Sequence, residues 1–311
     1  MPPLIITHWD LDGYVSAILL LNAVGDCDIK FANAGLLSNV LSGITGNEEI
    51  PEDIYLADLP LDSGLRASML SKLQTLEDRG VALHLFDHHA GWESTGARSV
   101  FTTNVVDTSK TTAASLIILH FGLRSQGCGR WLELLSKKDQ SSDSSVREDF
   151  KLLSALCQKP FRGVRVQALK DLAFGRMFPK REEILDWYDT TYLKKEDFYQ
   201  HSAEIIETVA GTKVAWVDLQ GENLTFPGLA PKVIRALGAD LCAVFTQGGI
   251  WLSTAHIDAG RDLSFLHGRH VAGSIQLTVF GHKSPIAIRP VESPVDDWFL
   301  QEAKGFINER L

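Results

Sequence analysis

The sequence predicts an α/β chain: a parallel-sheet domain, a helical connector and a second, smaller α/β domain. Three observations predict this. In the first ~125 residues, short apolar runs alternate with helical patterns, as repeated strand–helix–strand units do. From 126 to 206 the strand signals stop and helical patterns surround a polar loop at 140–145. From 211 the strand signals return. At 311 residues the chain suits about two domains. The reading is a first domain over 1–125, a connector over 126–206 and a second domain over 207–311.

Taken in order, strands are expected over 4–7, 28–32, 54–58, 81–87 and 99–102. Helices are expected over 14–23, 63–79 and 111–121, with Ser63 and Thr111 as N-caps and Gly80 and Gly122 at helix ends. Such alternation favours a parallel sheet covered by helices on both faces. The connector shows helical patterns over 131–137, 146–156, 182–188 and 203–209. In the second domain strands are expected over 213–219, 240–245, 250–256 and 284–288. Helices are expected over 231–237 and 271–280, followed by one at the C-terminus.

Composition narrows the function classes. The chain is 45% hydrophobic and 22% charged, as soluble globular proteins are. Its net charge of −9 argues against wholesale coating of duplex nucleic acid, though not against a small phosphorylated substrate. Cys27, Cys128, Cys157 and Cys242 are scattered and form no CxxC pair, which fits a reducing cytoplasm and no structural zinc. The N-terminus lacks a signal-peptide pattern, and no apolar run approaches the ~20 residues of a membrane span.

The chemistry gathers where strand-like runs end. The first ends in His8-Trp9-Asp10-Leu11-Asp12-Gly13, the third in Asp58, the fourth in Asp87-His88-His89. His8, Asp10 and Asp12 alternate, so in extended chain they share a face, and Gly13 permits a sharp turn. In an open parallel sheet the strand carboxyl ends meet at one rim, where ligands bind. Carboxylates gathered there repel one another unless a cation sits among them, so a divalent metal site, with two ions, is expected. Two imidazoles beside Asp87 are poorly explained by packing. One can ligate a metal, the other can donate to a phosphate, and Asp87 can orient an imidazole. The competing readings are capping aspartates at 10 and 12 and a turn-forming aspartate at 58.

These residues resemble the DHH phosphoesterase superfamily, which includes RecJ and oligoribonuclease-like members. The resemblance covers most of the chain. Segment 7–13 matches its first motif, Asp58 its second, 87–89 its third, and 108–114 the Thr/Ser-rich helix start that follows. It implies one ion on His8, Asp10 and Asp58 and a second on Asp12, Asp58, His88 and Asp139, with Asp58 bridging and His89 on the scissile phosphate. Asp143 and Asp107 are alternatives to Asp139 for the fourth-motif aspartate. Manganese is implied, with magnesium as the alternative. His89, Asp58 and His88 would carry catalysis through a water activated by the two ions.

The segment Gly260-Arg261-Asp262 and the run His267-Gly268-Arg269-His270 resemble the family's substrate-binding motifs. Arg269 stands where the family has glycine. Arg261, Gly268, Arg269 and His270 are thus the implied substrate contacts, with the active site in a cleft between the domains. The bland alternative for His270 is a buried histidine. Between 159 and 181 seven basic residues face one acidic residue, a candidate substrate track or a solvated helix face. Trp9 and Trp92 flank the site and read first as core residues, second as stacking partners for a base.

The expected activity is hydrolysis of phosphodiester bonds in a short single-stranded oligonucleotide or nucleotide substrate. The competing readings are a phosphatase or pyrophosphatase acting on a small phosphate compound and a non-catalytic scaffold. No membrane partner is expected, and a homodimer is left open.

Overall fold

The computed structural model describes residues 1–61, 66–92, 99–123, 126–137, 140–220, 224, 229–247, 249–254, 263–266, 268–272, 275–281, 286–290 and 296–311. They divide into two units, Met1–Tyr188 and Asp189–Leu311.

The first unit runs β1 (Leu4–Thr7), α1 (Leu11–Val24), β2 (Asp28–Phe31), α2 (Ala34–Thr45), β3 (Asp53–Ala57), α3 (Arg66–Asp78), β4 (Ala82–Asp87), β5 (Thr103–Val106) and α4 (Ala113–Phe121). Four more helices follow: α5 (Gln126–Lys137), α6 (Ser144–Leu156), α7 (Arg165–Ala173) and α8 (Arg181–Trp187). The five strands are all parallel, in the order β2-β1-β3-β4-β5. Alternate strand residues Leu4, Ile6, Ile54, Leu56, Leu83 and Leu85 form one core with Leu37 and Leu41 of α2 and Leu73 and Leu76 of α3. β1 is buried along its whole length, as a strand covered on both faces must be.

α1 is buried from Gly13 to Leu21, all the way round its axis. A helix so apolar is covered on every side. It packs on α4 through α7, so the helices after the sheet wrap α1. Each fully buried leucine among Leu19, Leu20 and Leu21 contributes about 1.5–3 kcal/mol. Those contacts hold the start of α1, and with it Asp10 and Asp12, to the sheet rim.

Three details of this unit differ from expectation. The last strand lies at Thr103–Val106 rather than 99–102, because Thr103 to Val106 are the residues in register with His84 to Asp87. The cap of α4 is Thr112, whose hydroxyl oxygen accepts from Ser115 N, rather than Thr111. α2 was not anticipated. Ser63, the expected cap of α3, lies outside the described residues.

The second unit runs α9 (Leu193–His201), β6 (Glu204–Glu207), β7 (Lys213–Asp218), α10 (Leu229–Leu237), β8 (Leu241–Thr246), β9 (Gly249–Thr254), β10 (Gly268–Ala272), β11 (Ile275–Gly281), β12 (Ile286–Pro290) and α11 (Asp297–Arg310). Its sheet is mixed, in the order β10-β11-β12-β9-β8-β7-β6, with β7 and β8 parallel. α11 buries Phe299, Ala303, Phe306 and Ile307 in the core of this unit.

Two expected helices are strands. Residues 204–207 pair antiparallel with β7, which uses their β-branched isoleucines on a pleated surface. Residues 271–280 divide between β10 and β11, which pair Ala272 with Ile275. The alternation Ile275-Gln276-Leu277-Thr278-Val279 has the period of a strand, and Gly273-Ser274 before it breaks any helix. No helix among the described residues is long and apolar enough to cross a membrane.

Candidate metal centre at the rim of the parallel sheet

Thr7 is level with Ala57, and Ala57 with Phe86. The next residues, His8, Asp58 and Asp87, therefore lie side by side at the rim, Asp87 as the last residue of β4. The order β2-β1-β3-β4-β5 also reverses direction between β1 and β3. In open α/β sheets that switch point, at the carboxyl ends of the strands, forms the ligand crevice. The motif residues of β1 and β3 stand on either side of it.

The turn from β1 into α1 requires glycine. A Cβ on Gly13 would lie 2.2 Å from the His8 carbonyl oxygen. Thr7 Oγ1 donates to Gly13 O at 2.9 Å, and Gly13 N donates to Asp10 Oδ1 at 3.0 Å, so Asp10 caps α1. Asp10 Oδ2 lies 2.8 Å from His8 Nδ1. Burial works to raise the Asp10 carboxyl, but the hydrogen bond and charge of His8 outweigh it and hold Asp10 below the usual carboxylate range.

Asp58 is the one non-glycine residue at positive φ, 55°, among the described residues. Such backbone costs about 1–3 kcal/mol and gathers at functional sites. Its amide donates to Phe86 O at 3.2 Å, and the residue is 3% exposed. Asp58 Oδ2 is buried with no hydrogen-bond partner. Burial first, then the charges of Asp10, Asp12 and Asp87, push its carboxyl far above the usual range.

Asp87 is wholly buried and ties the rim together. Its Oδ1 accepts from His89 N and from His89 Nδ1, both at 2.7 Å, and its Oδ2 accepts from Leu59 N at 2.6 Å. Trp92 Nε1 donates to Leu59 O at 2.6 Å. Asp87 thereby fixes Nδ1 of His89 as a donor, the tautomer-setting role of a carboxylate behind an imidazole. Burial opposes a charge on His89, yet the bond and charge of Asp87 raise its pKa. His88 goes the other way, lowered by burial and by the charge of His89. A neutral His88 suits ligation and a protonated His89 suits anion binding.

Two groups of metal-ligating atoms result, each within 4.8 Å: His8, Asp10 and Asp58, and Asp58, His88 and His89. Asp58 belongs to both. His88 Nε2 is 3.2 Å from Asp58 Oδ1 and 3.7 Å from Asp12 Oδ2. Asp12 also accepts from the first amides of α4, Ala113 N at 2.8 Å and Ala114 N at 3.2 Å. Those amides hold it down, but burial and the charge of Asp10 push it up to about 7. A buried carboxylate oxygen without a donor, amid acids and imidazoles, fits a divalent cation.

The remaining expectations fall as follows. Asp139 and Arg261 lie outside the described residues, as does the side chain of Arg269. Gly268 opens β10 and Arg269 follows it. His270, on β10, bonds through Nε2 to Leu266 O at 2.6 Å and packs on Phe306 of α11. Asp143 caps α6 by accepting from Ser145 N, and Asp107 accepts from Ser109 N, so both carboxylates serve local turns. Three of the seven basic residues of the 159–181 stretch are tied into the fold. Arg165 donates to the carbonyls of Leu156, Cys157 and Gln158, Lys170 pairs with Asp26, and Arg181 pairs with Glu148 and Asp149. Trp92 is core, 1% exposed, whereas Trp9 stays partly exposed beside His8. The amides of Ala113 and Ala114 were missed as partners of Asp12, although the cap at Thr112 marks where they begin.

No family model and no curated protein matches the sequence. Solved structures do match. A DHH-domain structure, described as that of a member of a family of ribosomal proteins, superposes with a TM-score of 0.63 at 11% identity, covering 99% of this chain and 87% of that one. The chain has the DHH fold. The pGpG-specific phosphodiesterase PggH from Vibrio cholerae shares it at a TM-score of 0.56 and 14% identity, with 99% of both chains covered. So does RecJ from Thermus thermophilus in complex with Mn2+, at a TM-score of 0.54 and 12% identity. The chain covers 52% of that RecJ. At such identities the likeness establishes the DHH fold, and the assignment of its rim residues rests on the geometry above.

Proposed function

We propose that this chain is a metal-dependent phosphoesterase that hydrolyses phosphodiester bonds in short single-stranded oligonucleotides. The observation that carries the reading is Asp58: shared by two ligand groups, strained in backbone, and buried with an oxygen that nothing donates to. Likeness to a pGpG phosphodiesterase over 99% of both chains supports a short substrate.

In this reading His8, Asp10 and Asp58 hold one manganese ion, and Asp12, Asp58 and His88, with Asp139, hold a second; magnesium is the alternative. Bound there, such ions would offset phosphate charge and lower the pKa of a coordinated water. The chain's own residues do the rest. Asp87 holds His89 with Nδ1 as donor, and His89 in its protonated form donates to a phosphate oxygen. Burial keeps His88 neutral and available as a ligand. The α4 amides fix Asp12 against repulsion from Asp10. Arg261, Arg269, Gly268 and His270 are the proposed substrate contacts of the second unit.

The test is product analysis with Mn2+ on 5′- and 3′-labelled RNA and DNA of two to twenty-four nucleotides. Mononucleotide release is expected from the shortest oligomers. Release of inorganic phosphate alone, with oligomers intact, would instead establish a phosphatase. Asp58→Asn should lower turnover by more than about 100-fold, beyond the 10–100-fold common for residues that only support a ligand.

A further inference from the structure

Trp9 sits between His8 and Asp10 in the chain. It behaves unlike Trp92, whose indole is enclosed and bonded to Leu59. Trp9 joins neither of the two core clusters described above and remains partly exposed. Its ring lies against the His8 imidazole, with 5.8 Å between centroids and 25° between planes. A large apolar ring left partly in water beside a carboxylate cluster offers a ligand an apolar surface. It rests against the His8 ring, so a ligand stacking on it would lose little side-chain entropy. Stacking suits a nucleobase, because every base has a π-face. The acid and imidazole cluster next to it suits, once cations are bound, the phosphate that a nucleotide carries beside its base.

We infer that Trp9 is the nucleobase subsite of this centre: the base next to the scissile phosphate stacks on the Trp9 indole while the phosphate lies against the His8, Asp58 and His89 side chains. The inference rests on the phosphoesterase reading and adds the part of the substrate that the site grips besides phosphate. It also assigns the chain to nucleotide substrates over phosphate esters that lack a base.

The experiment measures KM and kcat with Mn2+ for the dinucleotide pApA and for an analogue whose two bases are removed, in wild type, Trp9→Phe and Trp9→Ala. Trp9→Ala should raise KM for pApA by about 5- to 150-fold, the range of one base–aromatic stack. Trp9→Phe should raise it less than about threefold, and the abasic analogue should respond to neither variant by more than that. An unchanged KM for pApA overturns the subsite. So does an equal fall of kcat on both substrates in Trp9→Ala, which would make Trp9 a support for His8. If the wild type hydrolyses neither compound, the phosphoesterase reading fails by itself. The subsite is then decided by fluorescence with adenosine 5′-monophosphate and Mn2+. Quenching that Trp9→Phe abolishes supports it, and equal quenching in both proteins overturns it.

Discussion

Two acidic clusters in the first unit make an instructive contrast. Asp149 of α6 is fully buried, and Arg130 of α5 and Arg181 of α8 both pair with it. At the sheet rim Asp10, Asp12, Asp58 and Asp87 crowd together, and among the described residues no lysine or arginine pairs with them. The helical cluster is neutralised from within and ties three helices. The rim cluster has imidazoles and backbone amides as partners, and its charge is unfinished. Where a fold needs a buried acid for itself, it supplies a guanidinium. Where it leaves one unmatched, a ligand is expected to complete it.

The largest expected effect separates the two clusters. Asp149→Ala should destabilise the protein by about 1–3 kcal/mol, since it leaves Arg130 without its buried carboxylate while Arg181 keeps Glu148, measured by denaturant unfolding. Asp58→Asn should do the reverse to the metal-free protein, raising its melting temperature while turnover collapses. Asparagine tolerates positive φ, so this variant removes charge without adding backbone strain. A fall in stability as large as that of Asp149→Ala would erase the contrast.

Asp87→Asn comes next. An amide there cannot accept from His89 and from Leu59 as the carboxylate does. Activity should fall by about 10–100-fold with the fold retained, read by steady-state kinetics beside circular dichroism. Activity equal to wild type would mean that His89 needs no orientation.

The smallest effect is in pH. Asp12 is raised from 3.8 to about 7, and Asp58 is raised as well. The folded, metal-free chain thus holds protons that the unfolded chain releases. The stability contributed by these groups is full below pH 3.8 and is lost as pH rises through about 7. Asp10, lowered instead, acts only in the acid range, where its stabilisation is lost as pH falls below 3.8. Metal-stripped protein should therefore melt at lower temperature at pH 8 than at pH 5. Saturating Mn2+ should reverse the slope, because it binds the deprotonated ligands. A melting temperature independent of pH without metal would show that the rim acids are already compensated.

Much of this site was legible because its signals are local. Apolar runs at 4–7, 54–57 and 82–86 end in acids and imidazoles, and those residue types suffice to point to a candidate metal centre. Asp87 beside two histidines implied an oriented imidazole; the extended alternation expected for His8, Asp10 and Asp12 stops at Asp10, since Asp12 lies in the first turn of α1 and meets the α4 amides. The errors came where local pattern is ambiguous. Residues 204–207 read as helix and are strand, because pairing with β7 decides a four-residue segment that propensity cannot. In 271–280 the period of two was present from Ile275 to Val279, and pairing within the sheet makes it strand.

The sequence by itself determined the chemistry of the rim: which side chains can bind a cation, and that they follow strands. Only the tertiary structure decided how they share it. The order β2-β1-β3-β4-β5 brings Asp58 beside His8 and His88 across gaps in sequence that no local pattern spans. Burial, a property of the packed whole, raises Asp12 and Asp58, and the bond to Asp87 sets His89 apart from His88. Packing also made Trp92 core and left Trp9 partly in water, and it tied Arg165 and Arg181 of the basic stretch into the fold. Such roles depend on distances between residues far apart in the chain, and a one-dimensional pattern does not encode distance.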